Sequence, residues 1–267
     1  EAPGRSPERN REYHDRLRDL AVESGVTQTW GMFSVKAAPE IWRPYFDLLD
    51  ETATAGGRMF AQVHSRGLNN ILSFESATPY DNWELWRDIR TLPLEEQQAR
   101  LGDPATKAKL VEIANRKYTG PRIVGAEIRP PDWHYVFPMV DMSYDTPSMA
   151  QIAKEKGVDP VELMIDMALE RDLKMFFRAP IANENQDHVL EMIKHPRSVV
   201  TFSDSGAHVS QIMDSSLQTH LLSHWVREKE ALTLEEAVKQ ITYNTATLWG
   251  LHDRGLLREG MAADVVV

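Results

Sequence analysis

The stretch that best indicates the fold is Ser198-Val199-Val200-Thr201-Phe202, followed at once by Ser203-Asp204-Ser205-Gly206-Ala207-His208. The first five residues are mostly apolar or β-branched and predict a buried strand, which the polar, Gly-containing run after it ends. Asp204 therefore lies just past the carboxyl end of a strand, the end that faces ligands in parallel α/β folds. There it can ligate a divalent metal or accept a proton from metal-bound water. It can also simply cap the next turn, and the hexapeptide alone favours this.

Strands and helices alternate on both sides of this stretch. Further strands are predicted at 26–33, 58–63 and 174–179, and helices at 12–24, 40–55, 187–194 and 217–230. Short joints such as Gly56-Gly57 connect them, and this order is typical of βαβ units in a parallel sheet. The last long helix begins with Thr233-Leu234-Glu235-Glu236, a capping box.

The middle of the chain, an insertion of about 73–172, has a different character. Helices are predicted at 82–91, 94–101, 104–116, 148–156 and 160–171, with one possible strand at 123–128. Long insertions between barrel strands often form lids over active sites. A packed helical subdomain without a catalytic part explains the pattern equally well. The polar residues Gly4–Arg11 are expected to form a mobile arm.

Composition excludes several classes of protein. The 267 residues carry 30 Lys and Arg against 40 Asp and Glu, a formal charge of −10, which disfavours nucleic acids and anionic lipids as partners. We find no apolar run long enough for a membrane span or a signal peptide. Zero cysteines exclude disulfides and thiolate ligands and make a cytoplasmic location the default prediction. A homo-oligomer is possible.

The closing part of the chain resembles a known family. Asp204-Ser205-Gly206-Ala207-His208 is followed by a helix that leads to Gly250-Leu251, Asp253-Arg254-Gly255 and Ala263-Asp264-Val265-Val266-Val267. This succession resembles the C-terminal third of the amidohydrolase superfamily. Gly102-Asp103-Pro104-Ala105-Thr106 and Gly157-Val158-Asp159-Pro160 are similar to helix starts in its N-acyl-D-amino-acid deacylase (D-aminoacylase) branch.

The resemblance implies an α/β fold. Residues 1–260 would be the C-terminal portion of a metal-dependent (β/α)8 TIM-like barrel with a helical insertion, and 261–267 the start of a return strand to a small β-sandwich. A run that reads as an unfinished strand predicts that the chain is a piece of a longer polypeptide. Few strands cannot close a barrel, so residues 1–267 alone are not expected to fold as an enzyme.

The resemblance also implies a reaction, the hydrolysis of a non-peptide carbon–nitrogen bond in an N-acyl amino acid or a related amide. Asp204 would be the general base on zinc-bound water and also a metal contact. At the end of the strand at 58–63, His64 is either a second ligand or a loop residue, and Arg66 can bind a substrate carboxylate as a bidentate fork. Ser205 and His208 are the remaining candidates for substrate binding.

One departure from the family pattern favours a different function. The sequence contains no His-x-His pair, so most zinc ligands are expected upstream. The family's metal-binding His is expected near residues 30–32, where this chain has Trp30, Gly31 and Met32. The alternative is therefore a non-catalytic relative that binds a small molecule or a partner. His220 and His224, four residues apart on a helix, are expected to be core-edge residues.

Overall fold

The computed structural model describes residues 6–121, 129–141, 143, 145–207, 211–213 and 215–266. The chain divides into two units. The first comprises Glu1–Leu68, Ala182–Asp204 and Asp214–Val267, and the second comprises Asn69–Ile181 and Ser205–Met213. The predicted strand at 123–128 lies outside the described residues.

A parallel sheet forms the centre of the first unit. It contains β1 (Gln28–Met32), β2 (Met59–Val63) and β6 (Ser198–Val200), in the order β1-β2-β6. Met32 pairs with Val63, and Val63 pairs with Val200, so all three strands end at nearly the same level. The predicted βαβ arrangement is confirmed.

Helices cover one face of this sheet. They are α1 (Pro7–Ser24), α2 (Arg43–Thr54), α8 (Gln186–Lys194), α9 (Leu217–His220), which continues as π-helical turns over Leu221–Glu228, and α10 (Leu234–Lys239). Met59, Ala61 and Val63 of β2 pack into this layer with Leu49 and Ile193. Because successive side chains of a strand point to opposite faces, Gln62 and its register partner Val199 lie on the other face.

The N-terminal arm is shorter than predicted. Ser6 accepts a hydrogen bond from the Arg9 backbone nitrogen at 3.4 Å, and Pro7 follows at the first helical position. A Ser cap followed by Pro is a strong helix start, so α1 begins at Pro7 rather than at residue 12. Gly25, with φ of 65°, ends it as predicted.

The second unit is mainly helical, which confirms that part of the prediction. Its helices are α3 (Glu84–Arg90), α4 (Leu94–Gly102), α5 (Pro104–Ala114), α6 (Met149–Lys156) and α7 (Pro160–Leu169). Asp103 and Asp159 accept hydrogen bonds from Thr106 N and Val161 N, so both Asp-Pro sequences are helix N-caps. Buried Trp86, Leu110 and Ile165 belong to the core of this unit.

A second sheet shows the clearest error in the strand predictions. It has the order β3-β5-β4, with β3 (Leu68–Leu72), β4 (Phe137–Pro138) and β5 (Phe177–Ala182). Strand β5 was predicted at 174–179 and as part of the parallel sheet, and both points are wrong. Asp172 and Leu173 adopt left-handed backbone angles, φ of 52° and 61°. They extend the turn after α7 and delay the strand. Strand β3 was not predicted.

The last part of the chain follows the predicted capping box. Thr233 Oγ1 accepts from Glu236 N at 3.1 Å, and the Glu236 carboxylate accepts from Thr233 N at 2.8 Å. After α10 come π-helical turns over Gln240–Asn244 and then α11 (Thr245–Leu248). Residues 262–266 form no strand within the described chain, because a strand needs a neighbour to pair its backbone. The return strand predicted for residues 261–267 stays a prediction.

The described strands form two three-stranded sheets and no closed barrel. The coarser prediction of an α/β fold is confirmed. None of the described helices is both long and apolar enough to cross a membrane. The cytoplasmic location and the homo-oligomer stay predictions.

Candidate functional site at the strand ends

Three loops start at the carboxyl ends of the parallel strands of the first unit. The loop after β1 contains Ser34, the turn after β2 is His64-Ser65-Arg66, and the segment after β6 leads to Asp204. Because parallel strands present their carboxyl ends at the same edge of a sheet, the sheet brings these residues to one edge. The predicted residues Asp204, His64 and Arg66 all lie there.

The His64 ring is buried and bonded to the backbone of its own turn. Its exposed fraction is 0%, and Nδ1 lies 3.1 Å from the Arg66 carbonyl oxygen and 3.3 Å from the Arg66 backbone nitrogen. The tautomer decides which of the two contacts is the hydrogen bond. Either contact occupies Nδ1, so a metal would have to bind through Nε2. His64 is thus a buried residue of the turn after β2, and its role as a metal ligand stays a prediction.

Ser65 ties the same turn to the helical layer. Its hydroxyl donates to the Leu217 carbonyl oxygen at 2.6 Å, and its own carbonyl oxygen accepts from Trp225 Nε1, also at 2.6 Å. Leu217 and Trp225 are both buried in the core of the first unit. The backbone of the turn is therefore fixed from the core side.

Arg66 is one of the largest fully buried side chains of the protein, with an exposed fraction of 1%. A guanidinium is always charged, and burying its charge is costly unless hydrogen-bonding groups surround it. Its planar fork of donors also matches a carboxylate in geometry. A buried Arg directly after a strand end therefore suits the recognition of a carboxylate better than an exposed one would.

Asn183 joins two of the strand ends, and sequence reasoning missed it. Its Nδ2 donates to the Arg66 carbonyl oxygen at 3.3 Å, its Oδ1 accepts from Ser34 N at 2.9 Å, and its own N donates to Ser34 O at 2.6 Å. It directly follows β5, and an Asn after a strand was the signal that the sequence offered.

Asp204 lies in the opposite environment. Its side chain is exposed, and its backbone adopts a left-handed φ of 53°, which is uncommon for a residue with a Cβ. Strained backbone often occurs at functional sites. Within the described chain, its carboxylate accepts no backbone hydrogen bond of the kind that a helix cap makes. Ser205, also exposed, begins the next segment of the second unit, and His208 lies outside the described residues.

The family's metal-binding histidine was expected at Trp30, Gly31 or Met32, which alternate between the two faces of β1. Trp30 pairs with Ala61, whose side chain packs toward the helices, and its ring contacts Tyr45 of α2 with centroids 6.1 Å apart. Gly31 lies on the other face, where a Cβ would stand only 3.1 Å from the Phe202 ring. Trp30 thus packs on the helix side of the sheet.

The described residues do not form a metal site on their own. They contain no group of three or more His, Cys, Asp or Glu side chains placed to hold an ion. Catalytic zinc sites use three protein ligands, and this chain offers His64 and Asp204 as candidates. His64 does fit one feature of such ligands, because a ligating histidine commonly donates its second ring N–H to a backbone carbonyl.

The other predicted histidines lie in packing positions. The His220 and His224 rings stack with centroids 4.7 Å apart, and His224 Nδ1 lies 3.0 Å from Glu228 Oε2. His224 also packs edge-on against Trp225. This arrangement agrees with the predicted role at the edge of the core.

Comparison with known proteins places the chain in a family. The sequence profile of the amidohydrolase family matches residues 84–267. The chain belongs to the amidohydrolase family. The match includes the Asp204 segment and the whole C-terminal part, on which the predicted resemblance depended.

Two curated proteins similar to this chain are deacylases from Alcaligenes xylosoxydans xylosoxydans. N-acyl-D-aspartate deacylase is 30% identical over 119 residues, which is 44% of this chain and 20% of that protein. N-acyl-D-glutamate deacylase is 53% identical over 49 residues, 18% of this chain and 10% of that protein. The predicted resemblance to N-acyl-D-amino-acid deacylases is confirmed, and the chain spans a fifth or less of either relative.

Solved structures of similar proteins include the N-acyl-D-glutamate deacylase from Bordetella bronchiseptica with zinc and a phosphonate inhibitor. It has 15% identity and a TM-score of 0.47, and the match covers 94% of this chain and 42% of that one. A crystal structure of D-aminoacylase has 14% identity and a TM-score of 0.46, with 96% and 43% covered. Similarity at this level is too low to establish a shared fold.

Proposed function

We propose that this amidohydrolase chain is part of an enzyme that hydrolyses the amide bond of N-acyl-D-amino acids. The observation that carries the proposal is Asp204, an exposed carboxylate held in a left-handed backbone just past a parallel strand. The neighbouring strand β2 ends in the buried turn His64-Ser65-Arg66. A reactive carboxylate beside a rigid, positively charged turn suits a substrate that has both an amide and a carboxylate.

In the proposed reaction Asp204 is the general base. It accepts a proton from water while the water oxygen adds to the acyl carbon, and the carbon–nitrogen bond then breaks. The departing amine takes this proton back from Asp204, which regenerates the base, and the products are a carboxylate and a free amino acid. Arg66 binds the substrate carboxylate, and Ser205 and His208 contact the substrate.

Zinc is the proposed cofactor, with His64 and Asp204 as the ligands from this chain. A bound zinc would lower the pKa of its water and polarise the amide carbonyl. The described residues supply two ligands and not a complete set. We therefore assign the remaining ligands to other parts of the protein and attribute no step of the reaction to the metal.

For the fold we propose that residues 1–260 are the C-terminal portion of a (β/α)8 barrel. Three observations support this: β1, β2 and β6 are parallel and adjacent, helices cover one face, and the helical unit is inserted between β2 and α8. The insertion of about 73–172 would be an excursion from one βα loop. Residues 261–267 would pair as a return strand with a β-sandwich elsewhere in the protein.

A substrate panel tests the proposal. The full-length protein, supplied with zinc, is assayed for amine release from N-acetyl derivatives of D-Asp, D-Glu and D-Leu and of their L enantiomers. We expect hydrolysis of at least one D substrate and a slower reaction with its L enantiomer. No hydrolysis of any of the six would overturn the proposal and support the non-catalytic alternative, with binding of the same compounds as its test.

A further inference from the structure

Asn183 occupies an unusual position for a polar residue. It is completely buried, with an exposed fraction of 0%, and its backbone is left-handed, with φ of 60°. Asn tolerates this conformation better than most residues do. A buried amide requires hydrogen-bond partners for its oxygen and its nitrogen, and both partners here are backbone groups of strand-end loops.

The first partner is Ser34, in the loop after β1. Asn183 and Ser34 exchange two bonds, since Asn183 N donates to Ser34 O at 2.6 Å and Ser34 N donates to Asn183 Oδ1 at 2.9 Å. The Ser34 hydroxyl in turn lies 2.9 Å from His188 Nδ1. The Gln186 side chain donates to the Asn183 carbonyl oxygen at 2.8 Å. Asn183 is thus held from α8 as well as from β1.

The second partner is the carbonyl oxygen of Arg66, which Asn183 Nδ2 approaches to 3.3 Å. The same oxygen lies 3.1 Å from His64 Nδ1. In the tautomer that carries a proton on Nδ1, this one carbonyl accepts from both the Asn183 amide and the His64 ring. A shift of this carbonyl would turn the imidazole and move the Arg66 backbone together.

We propose that Asn183 is a positioning residue that fixes the Arg66 carbonyl and, through it, the orientation of the His64 ring. The expected loss of activity rests on the proposed function, whereas the expected change in the His64 ring orientation does not. An amide is required because one side chain must accept from Ser34 N–H and donate to Arg66 O at the same time. Aspartate can replace only the first bond and would set a carboxylate oxygen against the Arg66 carbonyl, and glycine can replace neither.

The test compares Asn183→Asp with Asn185→Asp in the full-length protein. Asn185 lies two residues away and caps α8 by accepting from Asp187 N and His188 N, a role that aspartate fills equally well. We expect Asn183→Asp to reduce kcat/KM by about 10–100-fold, the usual effect of removing a group that orients a site residue. The Asn185→Asp control should stay within about twofold.

A second measurement is independent of activity. In protein with 15N-labelled histidine, the His64 ring signals are assigned from their loss in His64→Gln. Asn183→Asp should shift the His64 ring nitrogens, and Asn185→Asp should leave them unchanged. His64 signals that do not move in Asn183→Asp would overturn the positioning role. Signals that move in a protein that hydrolyses no substrate would support the positioning role and contradict the proposed function alone.

If Asn183→Asp does not fold, Asn183→Gly, which keeps the left-handed angle, replaces it with the same expected results.

Discussion

Two neighbouring strands of the same sheet end in opposite ways. The turn after β2 is buried at all three residues, and each residue of it takes part in a hydrogen bond to or from a backbone group. The segment after β6 is exposed, and Asp204 there has a strained backbone and no cap-type hydrogen bond in the described chain. The difference teaches that one sheet edge can contain both a rigid, buried turn and an exposed segment with a strained backbone.

Each environment matches its proposed task. A group that orients a substrate must itself be held in place by packing and by hydrogen bonds; the Arg66 side chain is fully buried, and its backbone carbonyl accepts a hydrogen bond from Asn183. A general base must reach water and the substrate, and an exposed carboxylate does so without desolvation. A left-handed backbone costs an L residue about 1–2 kcal/mol, although Asp pays less.

The largest expected effect on stability is at the buried turn. Arg66→Ala should lower the free energy of unfolding by roughly 2–5 kcal/mol, because truncating a large buried side chain leaves a cavity. Chemical denaturation of the full-length protein measures the change. Arg58→Ala is the matched control, since Arg58 precedes the same strand at its exposed end, and it should change stability by about 0.5 kcal/mol at most. Equal effects of the two variants would contradict the difference between the strand ends.

A substitution at the exposed end of β6 should not lower the stability of the protein. Asp204→Gly should leave the stability unchanged or raise it by up to about 1 kcal/mol, because glycine adopts positive φ without a Cβ clash. Asp172→Gly, at another exposed aspartate with φ of 52°, should behave alike in stability. Only the Asp204 variant should lose activity. A large loss of stability in Asp204→Gly would show that the Asp204 side chain has a structural role.

The smallest effect on stability is expected from His195, which lies shortly before β6. Burial lowers the pKa of His195 below its ordinary value, against the opposing effect of the Asp50 carboxylate. The unfolded chain therefore binds this proton more readily than the folded one, so stability falls as the pH drops below about 6.5 toward the lowered folded pKa. His195→Asn should weaken this dependence in denaturation curves at several pH values. His252→Asn, at an exposed histidine, is the control, and an equal weakening there would contradict this role of His195.

Much of the fold was predictable because it depends on local patterns. The capping box at Thr233, the Asp-Pro helix starts and the Gly25 stop are signals that a few residues carry by themselves. Strand β3 escaped prediction because Asn69 and Asn70 interrupt its apolar pattern, yet both are buried. Strand β5 was misplaced because its start depends on the turn conformation at Asp172 and Leu173.

The sequence predicted which residues lie at the candidate site, but it did not predict which of their side chains are buried. Asp204, His64 and Arg66 follow predicted strands, so the sequence placed them at one edge. Burial of the His64 turn depends on Leu217 and Trp225, more than 150 residues away, and no local pattern reveals such contacts. The side of β1 that Trp30 faces required the register with β2. The Asn183 side chain bonds to two distant backbone groups, Ser34 N and Arg66 O, which no local pattern reveals.

The most direct test of the account is the hydrolysis of an N-acyl-D-amino acid by Asp204→Asn in the full-length protein. Asparagine keeps the size and tolerates the left-handed backbone but cannot accept the proton, so kcat should fall by about 10²–10⁴-fold. The matched control is Asp172→Asn, which should keep kcat within about twofold, and both variants should keep wild-type stability. A kcat of Asp204→Asn close to that of the wild type would contradict the assignment of Asp204 as the base.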